Sequence, residues 1–201
     1  MQTRYMPADE RRAVTVEAVV ALAAQQNPGD ITTAAIAAHM GVTQGALFRH
    51  FPTKDTLWLA VADQVAGELA MEWERALAGT DGPIDRIKAL MAAQLGQIVS
   101  TPALPMLLFS RELNVGNEDL RAAFRGLLMR FQALIVAELA RGQEAGRLRR
   151  EVAPEDAAVL LTSLVQGMAI RWSLGARNFS LIGEGMRLLD VQLRLLTVNE
   201  D

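Results

Sequence analysis

The sequence predicts an all-α protein. Apolar residues recur three or four positions apart in one segment after another, which is the period of one helix face. Short groups that contain Gly, Pro or Asn separate these segments, and no run forms a convincing strand. With 201 residues and a hydrophobic share of 51 %, the chain can form one domain or two small ones around a substantial core.

The first helix is expected to begin at Pro7, a residue favoured at helix starts, and to stop at Asn27-Pro28-Gly29. Its apolar face consists of Val16, Val19, Val20 and Ala23. We expect this face to pack across the two short helices that follow. Arg4, Arg11 and Arg12 can reach phosphates or a minor groove, although a solvated charge is an equal interpretation of Arg4.

Residues 31–54 read ITTAAIAAHMGVTQGALFRHFPTK and break at Gly41 into two short helices. Thr32 and Thr43 are placed to cap these helices, because a hydroxyl can accept an orphan N–H of the first turn. Gly41 lies where a helix ends in the left-handed conformation, and Val42 is expected to turn into the corner. The inward residues form two pairs four positions apart, Ile36 with Met40 in the first helix and Leu47 with Phe51 in the second.

Two helices joined by a short Gly-containing turn are typical of a helix-turn-helix, whose second helix enters the DNA major groove. Residues 31–54 contain no Asp or Glu, although the whole chain carries a net charge of −3, so this surface would not repel a phosphate backbone. A plain helical hairpin with solvated charges is the alternative. The expected DNA-binding residues are Thr32, Thr33, Thr43, Gln44, Gly45, Ala46, Phe48, Arg49, His50 and Lys54.

The same stretch resembles the DNA-binding domain of the TetR family of bacterial transcriptional repressors. The family pattern is matched by Thr32, Ile36-Ala37, Gly41-Val42-Thr43, Leu47-Phe48-Arg49-His50-Phe51 and Lys54. Phe48 stands where the family usually has Tyr, so the phosphate contact that a phenol oxygen makes is not carried over. The resemblance implies an N-terminal three-helix DNA-binding domain and a C-terminal helical ligand-binding and dimerisation domain, about nine helices in all.

The remaining helices follow the helix-turn-helix in order. Thr53 is expected to cap a long fourth helix that runs to about Gly79, and the composition changes at Gly79-Thr80-Asp81-Gly82-Pro83. We assign residues 1–53 to the DNA-binding domain and 54–201 to the ligand-binding and dimerisation domain. The later helices are predicted at Ile84–Ser100, Leu104–Val115, Glu118–Ala145, Pro154–Trp172 and Leu181–Thr197.

Methionines and aromatic residues in the middle helices can line a cavity for an apolar or amphipathic ligand, since Met adapts to irregular shapes. Ordinary core packing is the alternative for each of them. The candidate pocket residues are Met91, Gln94, Met106, Phe109, Phe131, Met168 and Trp172.

The last two predicted helices are apolar over more than one stripe, which indicates that a second subunit covers them. The resemblance likewise implies an intermolecular four-helix bundle. A homodimer would place two recognition helices in successive major grooves and read a palindrome. The apolar residues are Ala157, Val159, Leu160, Leu161, Leu164, Val165, Leu188, Leu189, Val191, Leu193, Leu195 and Leu196.

Catalysis finds little support in this sequence. The chain has no Cys and only two His, His39 and His50, neither at metal-ligand spacing. Gly183-Glu184-Gly185 lacks the third glycine and the preceding strand of a dinucleotide site. We expect no cofactor, no metal, no membrane span and a cytoplasmic location.

The sequence therefore predicts a homodimeric repressor that leaves its operator when a small ligand binds. One alternative is a DNA-binding protein of the same fold that acts without an inducer, as an activator or a nucleoid-associated protein. A helical carrier or enzyme that reuses the fold is another.

Overall fold

A computed structural model describes residues 7–25, 30–101 and 116–198 of the chain. These residues contain eight helices and no strand, which confirms the predicted all-α class. The predicted helix at Leu104–Val115 and the stop at Asn27-Pro28-Gly29 lie outside the described residues. The helices are α1 (Ala8–Ala23), α2 (Thr33–His39), α3 (Gln44–Phe48), α4 (Lys54–Ala78), α5 (Pro83–Ser100), α6 (Glu118–Glu144), α7 (Pro154–Leu174) and α8 (Leu181–Leu196).

The chain divides into two compact units. The first comprises Met1–Gly67 and Thr101–Phe124, and the second comprises Glu68–Ser100 and Arg125–Asp201. Helix α4 is shared, because it starts in the first unit and ends in the second. The domain boundary after residue 53 stays a prediction.

In the first unit, α1 packs on α2 and α2 packs on α3. The predicted inward faces are largely buried, although Val20 and Met40 keep partial exposure. Buried apolar residues come from α1, α2, α3, the residues just after α3 and the first part of α4. These buried residues include Val16, Val19, Ala23, Ile36, Ala37, Leu47, Phe51, Leu57, Val61 and Val65.

In the second unit, α8 packs on both α5 and α7, and α5 packs on α7. The approach of α5 to α8 is close, because a Cβ atom at Gly185 would lie 2.6 Å from Leu95 Cδ1. A similar notch lies near the end of α6, where a Cβ at Gly142 would lie 2.5 Å from Leu148 Cδ1. Glycine at these positions lets apolar side chains pack directly on the helix backbone.

One arginine connects three helices of the second unit. Arg86 Nε of α5 donates to Glu138 Oε1 of α6 at 2.9 Å, and Glu138 is only 3 % exposed. The same guanidinium donates through Nη1 to the carbonyl oxygens of Leu77 at 2.7 Å and Thr80 at 3.2 Å, where α4 ends. Arg141 also pairs with Glu138, at 2.9 Å. The buried carboxylate is thereby fully paired, which a buried charge requires.

Helix α7 is long and apolar enough to pass as a membrane span by length and composition alone, so the expected absence of a membrane span stays a prediction. Within the tested window, 44 % of the residues are buried inside the protein. Helix α7 packs against α5 and α8, and this packing inside the protein also accounts for its apolar residues.

Candidate nucleic-acid interface

The turn between α2 and α3 has the geometry that the sequence predicts. Gly41 adopts a φ of 66°, in the left-handed region. Its N–H donates to the Ala38 carbonyl at 3.1 Å, and the Val42 N–H donates to the Ala37 carbonyl at 2.9 Å. This pair of bonds satisfies the last carbonyls of α2 in the pattern of a Schellman motif. The expectation for Val42 is wrong, because its side chain is 40 % exposed and the turn is closed by backbone bonds instead.

Both threonine caps are present. Thr32 Oγ1 accepts the Ala35 N–H at 3.1 Å, and Thr43 Oγ1 accepts the Ala46 N–H at 3.2 Å. These bonds satisfy donors that a helix start leaves orphaned. Because α2 has seven residues and α3 only five, such end contacts matter more here than in a long helix.

The ten expected DNA-binding residues all keep contact with solvent. Phe48 is 42 % exposed, so a large aromatic side chain faces outward on α3. Thr33, Ala46, His50 and Lys54 are partly exposed, whereas the other five are exposed: Thr32, Thr43, Gln44, Gly45 and Arg49. A surface that reads DNA must be accessible in this way, so these ten residues stay the predicted interface.

The charge of this surface is positive. Asp30 and Asp55 are the nearest carboxylates along the chain, and both lie outside residues 31–54. Within the described part of the chain, the side chain of Arg49 makes no hydrogen bond or ion pair, and only its backbone N–H is bonded, to the Leu47 carbonyl oxygen. Its guanidinium therefore keeps its donors for a phosphate group.

One contact across the turn was not predicted from the sequence. Gln44 Nε2 donates to Thr33 Oγ1 at 3.0 Å, which joins the first residue of α3 to the first residue of α2. The two residues are eleven positions apart, and periodicity gives no information on a contact across a turn. Two polar side chains at adjacent helix starts are the only hint that the sequence offers.

Arg12 braces the end of α3. Its Nη1 donates to the His50 carbonyl oxygen at 2.8 Å, and its guanidinium carbon lies 4.6 Å from the centroid of the Phe51 ring. A cation over an aromatic face is attractive, and the carbonyl end of a helix favours positive charge. Arg12 remains exposed, and its guanidinium has further N–H donors, so its phosphate contact stays a prediction. Arg4 lies outside the described residues.

Helix α4 begins at a reciprocal pair of threonines. Thr53 Oγ1 accepts the Thr56 N–H at 3.1 Å, and Thr56 Oγ1 accepts the Thr53 N–H at 3.2 Å. This is the arrangement of a capping box, with threonine in place of the usual acid at the third position. The predicted cap at Thr53 is therefore confirmed, and the acid in this first turn is Asp55, beside Lys54.

The candidate ligand residues of the second unit lie in its interior. Met91, Gln94, Phe131, Met168 and Trp172 are all buried. Met106 and Phe109 lie outside the described residues. Burial is equally compatible with core packing and with an enclosed ligand, so the pocket stays a prediction.

The polar group among them, Gln94, has a specific partner. Its Oε1 accepts the Trp73 Nε1–H at 3.0 Å, and the Trp73 ring lies 4.9 Å from the Phe131 ring. Trp172 Nε1 donates to the Phe179 carbonyl oxygen at 3.1 Å. Trp73 was not among the candidate ligand residues that the sequence predicted.

Helices α7 and α8 expose apolar side chains on their outer faces. On α7, Leu160 is 58 % and Leu174 is 83 % exposed, and on α8, Leu195 is 69 % exposed. The α7 residues follow one another at helical spacing, with Gly167 between them. The other exposed apolar side chains of this region are Val159, Ile170, Ile182, Val191 and Val198.

Among the described residues, no group of three or more His, Asp or Glu side chains is placed to hold a metal ion.

Two family models match the chain. Residues 14–61 match the model described as "Bacterial regulatory proteins, tetR family", and residues 83–189 match "BetI-type transcriptional repressor, C-terminal". The first match contains the turn and both short helices. The second contains most of the second unit, including α5 and α7.

Similar proteins agree with these matches. The chain is 24 % identical to the nucleoid occlusion factor SlmA of a Marinomonas species, over 79 % of this chain and 81 % of that protein. It is 28 % identical to the HTH-type transcriptional regulator BetI of Brucella anthropi, over 83 % of each. A transcriptional regulator from Saccharomonospora viridis, solved in complex with choline, shares the fold with a TM-score of 0.81 at 19 % identity, covering 95 % of this chain and all of that one.

Proposed function

The chain belongs to the tetR family of bacterial regulatory proteins, and from that premise we propose that it is a repressor that a small ligand releases from its operator. Regulators of this family bind DNA and act as dimers, and they are not enzymes. The proposal adds three features: a palindromic operator, a homodimer formed by α7 and α8, and an apolar or amphipathic inducer bound in the second unit. A cytoplasmic location fits all three.

The observation that carries the DNA-binding part is the exposed, capped and acid-free start of α3. Gln44 can bond adenine through N6 and N7, and Phe48 can touch a thymine methyl group. Gly45 and Ala46 carry little or no side chain, so the helix can approach the base edges closely. Arg49, His50 and Lys54 flank this surface and suit phosphate groups, with Thr32, Thr33 and Thr43 beside them.

The dimer part rests on the apolar outer faces of α7 and α8. Leu160, Leu174 and Leu195 are each more than half exposed, and a second copy of the same surface would bury them. A two-fold dimer would present two recognition helices about 34–36 Å apart, which matches one turn of DNA.

The ligand part rests on the interior of the second unit. Met91, Phe131, Met168 and Trp172 supply apolar and aromatic surface, and Gln94 supplies one amide beside Trp73. Met106 and Phe109 belong to the same proposed pocket. Aromatic rings and an amide suit an apolar ligand with one polar group, and they also suit a small organic cation such as choline.

The proposed mechanism is a shift between two geometries of the dimer. Helix α4 runs from Lys54, beside the recognition helix, to Ala78, where Arg86 holds its last turn. A ligand that prefers one geometry would move α4 and so change the spacing of the recognition helices. The coupling available to such a ligand is typically about 1–3 kcal/mol, set by its differential affinity for the two geometries.

The DNA contacts can be tested by selecting bound duplexes from fragmented genomic DNA and measuring affinity for the selected operator. Gln44→Ala should remove the preference at one base pair per half-site, worth about 1–3 kcal/mol. Lys54→Ala should weaken binding to all sequences alike and flatten the salt dependence. If the two variants behave in the reverse way, the assignment of base and phosphate contacts is wrong.

The ligand can be tested on the labelled complex of protein and operator. Choline and a series of apolar compounds would be titrated first into free protein, to find binders, and then into the complex. A true inducer should weaken the complex, and Trp172→Ala should abolish the effect without changing DNA affinity. If every binder leaves the complex unchanged, the release mechanism is wrong.

A second candidate function is a DNA-binding protein that needs no inducer and acts as an activator or a nucleoid-associated protein. The likeness to a nucleoid occlusion factor over most of the chain favours it. So does the bond between Gln94 and Trp73, because an amide already paired inside the core has less to offer a ligand. Recovery of many dispersed chromosomal sites with no response to any small molecule would support this candidate over the first.

A further inference from the structure

We propose that Thr33 is a positioning residue for base reading: its hydroxyl holds the carboxamide of Gln44 in the orientation that selects adenine over guanine. The inference rests on the proposed function and names a residue that sets its specificity. It concerns the two helix starts on either side of the turn, where the side chain of Gln44 crosses from α3 to α2.

The geometry leaves Thr33 as the hydroxyl that is available to Gln44. Thr32 Oγ1 and Thr43 Oγ1 each accept a backbone N–H of their own helix. Thr33 Oγ1 instead accepts the Gln44 Nε2–H at 3.0 Å. Two of these three threonines therefore cap a helix, and the third, Thr33, binds the amide of Gln44.

This bond leaves the reading edge of Gln44 complete. A primary amide has two N–H donors and one carbonyl oxygen. Thr33 takes one donor, so one N–H and the oxygen remain. Adenine needs this combination, since its N7 accepts and its N6 amino group donates in the major groove.

The orientation of the amide matters because guanine and adenine differ in the groups that they present at position 6 in the major groove. Guanine presents two acceptors, N7 and O6, so an amide oxygen held toward position 6 would face another oxygen and be repelled. Without the bond to Thr33, the side chain of Gln44 can swing so that its NH₂ group alone donates to O6 or N7 of guanine, which lowers the preference for adenine. Gln44 is exposed, so packing does not hold its amide in place. Among the described side chains, the one that restrains this amide is Thr33.

The experiment compares wild type with Thr33→Val, which keeps the shape and removes the hydroxyl, and with Thr33→Ser, which keeps the hydroxyl. Each protein binds the selected operator and a copy in which the adenine assigned to Gln44 is replaced by guanine. Thr33→Val should lower the preference for adenine by about two- to tenfold, the effect expected from losing the restraint on one flexible side chain. Thr33→Ser should keep the wild-type preference for adenine, because it keeps the hydroxyl.

A double-variant cycle separates positioning from direct contact. In a Gln44→Ala background, Thr33→Val should cause no further loss of adenine preference, because there is no amide left to hold. Circular dichroism and thermal unfolding of each variant would establish that the helices remain folded.

Three results would overturn the inference. They are an unchanged preference in Thr33→Val, an equal loss of affinity for both duplexes, as a phosphate contact would give, and the same loss of preference in the Gln44→Ala background. Failure of the wild type to select any sequence would overturn the proposed function, and this inference with it.

Discussion

The paired helices α2 and α3 and the bundle of α5 to α8 are held together by different forces. Helix α3 buries one residue, Leu47, and α2 buries two. Helix α5 alone buries six. Because α2 and α3 have only seven and five residues, this burial is supplemented by side chains bonded to backbone ends, from Thr32 and Thr43 at their starts and from Arg12 near the end of α3.

The difference follows from what each region is proposed to do. A surface that must meet DNA cannot be stabilised by burying it, so its helices are fixed at their ends. The bundle of α5 to α8 is not proposed to contact DNA, so apolar packing and a buried ion pair can stabilise it. Substitutions in the bundle should therefore change stability, whereas substitutions on the outer side of α3 should change DNA binding.

The largest effect is expected at Glu138, the buried acid that joins α6 to Arg86. Glu138→Ala removes the carboxylate partner of Arg86 and Arg141 and leaves Arg86 with only the Leu77 and Thr80 carbonyl oxygens, and breaking a buried pair costs about 3 kcal/mol or more. The free energy of unfolding would be measured by urea denaturation.

The matched control is Glu74→Ala, which removes a largely exposed acid paired with Arg130 at 3.3 Å. An exposed pair contributes about 0–1 kcal/mol, so the control should lose little. If both variants lose the same small amount, the bundle does not depend on its buried ion pair and the comparison of the two regions fails.

The next effect is expected at Gly142 in the last turn of α6. Gly142→Ala would place a Cβ 2.5 Å from Leu148 Cδ1 and 2.9 Å from Cγ, and overpacking of this kind costs about 1–3 kcal/mol. Gly126→Ala on the same helix meets no atom within 4 Å and should stabilise the protein by about 0.5–1 kcal/mol, from helix propensity. Thermal unfolding measures both changes, and destabilisation by Gly126→Ala would contradict the packing assigned to α6.

A smaller effect, divided between stability and binding, is expected from two glycines of the first unit. Gly41→Ala should destabilise by about 1 kcal/mol, because alanine at a φ of 66° is strained although nothing crowds it. Gly45→Ala meets no protein atom within 4 Å and should leave stability equal or slightly higher. Its added methyl group should nevertheless weaken DNA binding, because it stands between α3 and the base edges.

Unfolding curves and operator titrations on the two variants would separate stability from binding. Unchanged DNA affinity in Gly45→Ala would mean that α3 does not approach the bases closely. That result would remove the main contrast between the two regions.

The turn could be predicted from the sequence because each of its determinants is local. The caps at Thr32 and Thr43 and the left-handed Gly41 depend on residues at most five positions apart. The family resemblance rests on the same residues, so it was visible in the sequence and the family models agree with it.

The contacts that the sequence did not reveal join distant parts of the chain. Arg12 reaches His50 across 38 positions, and Arg86 reaches Glu138 across 52. Helical periodicity predicts which face of a helix is apolar. It does not predict which neighbouring helix covers that face, or which partner a charged side chain at the edge of that face contacts. The partner of Gln94 was missed for the same reason, because Trp73 lies 21 positions away on another helix.

The smallest effect is expected at the surface ion pair between α5 and α8. Lys88 Nζ lies 2.9 Å from Asp190 Oδ1, with the two side chains 38 % and 51 % exposed. The hydrogen bond from Lys88, followed by its charge, lowers the pKa of Asp190 below the ordinary value of 3.8. A lowered folded-state pKa means that the pair stabilises the protein above the unfolded pKa and loses that contribution as the pH falls through the folded pKa.

Solvent and salt screen so exposed a pair, so Lys88→Met should raise the pKa of Asp190 in an NMR titration while hardly changing the unfolding temperature at neutral pH. A large loss of stability in Lys88→Met would show that surface charge, rather than the packing of Leu95 on Gly185, holds α5 to α8.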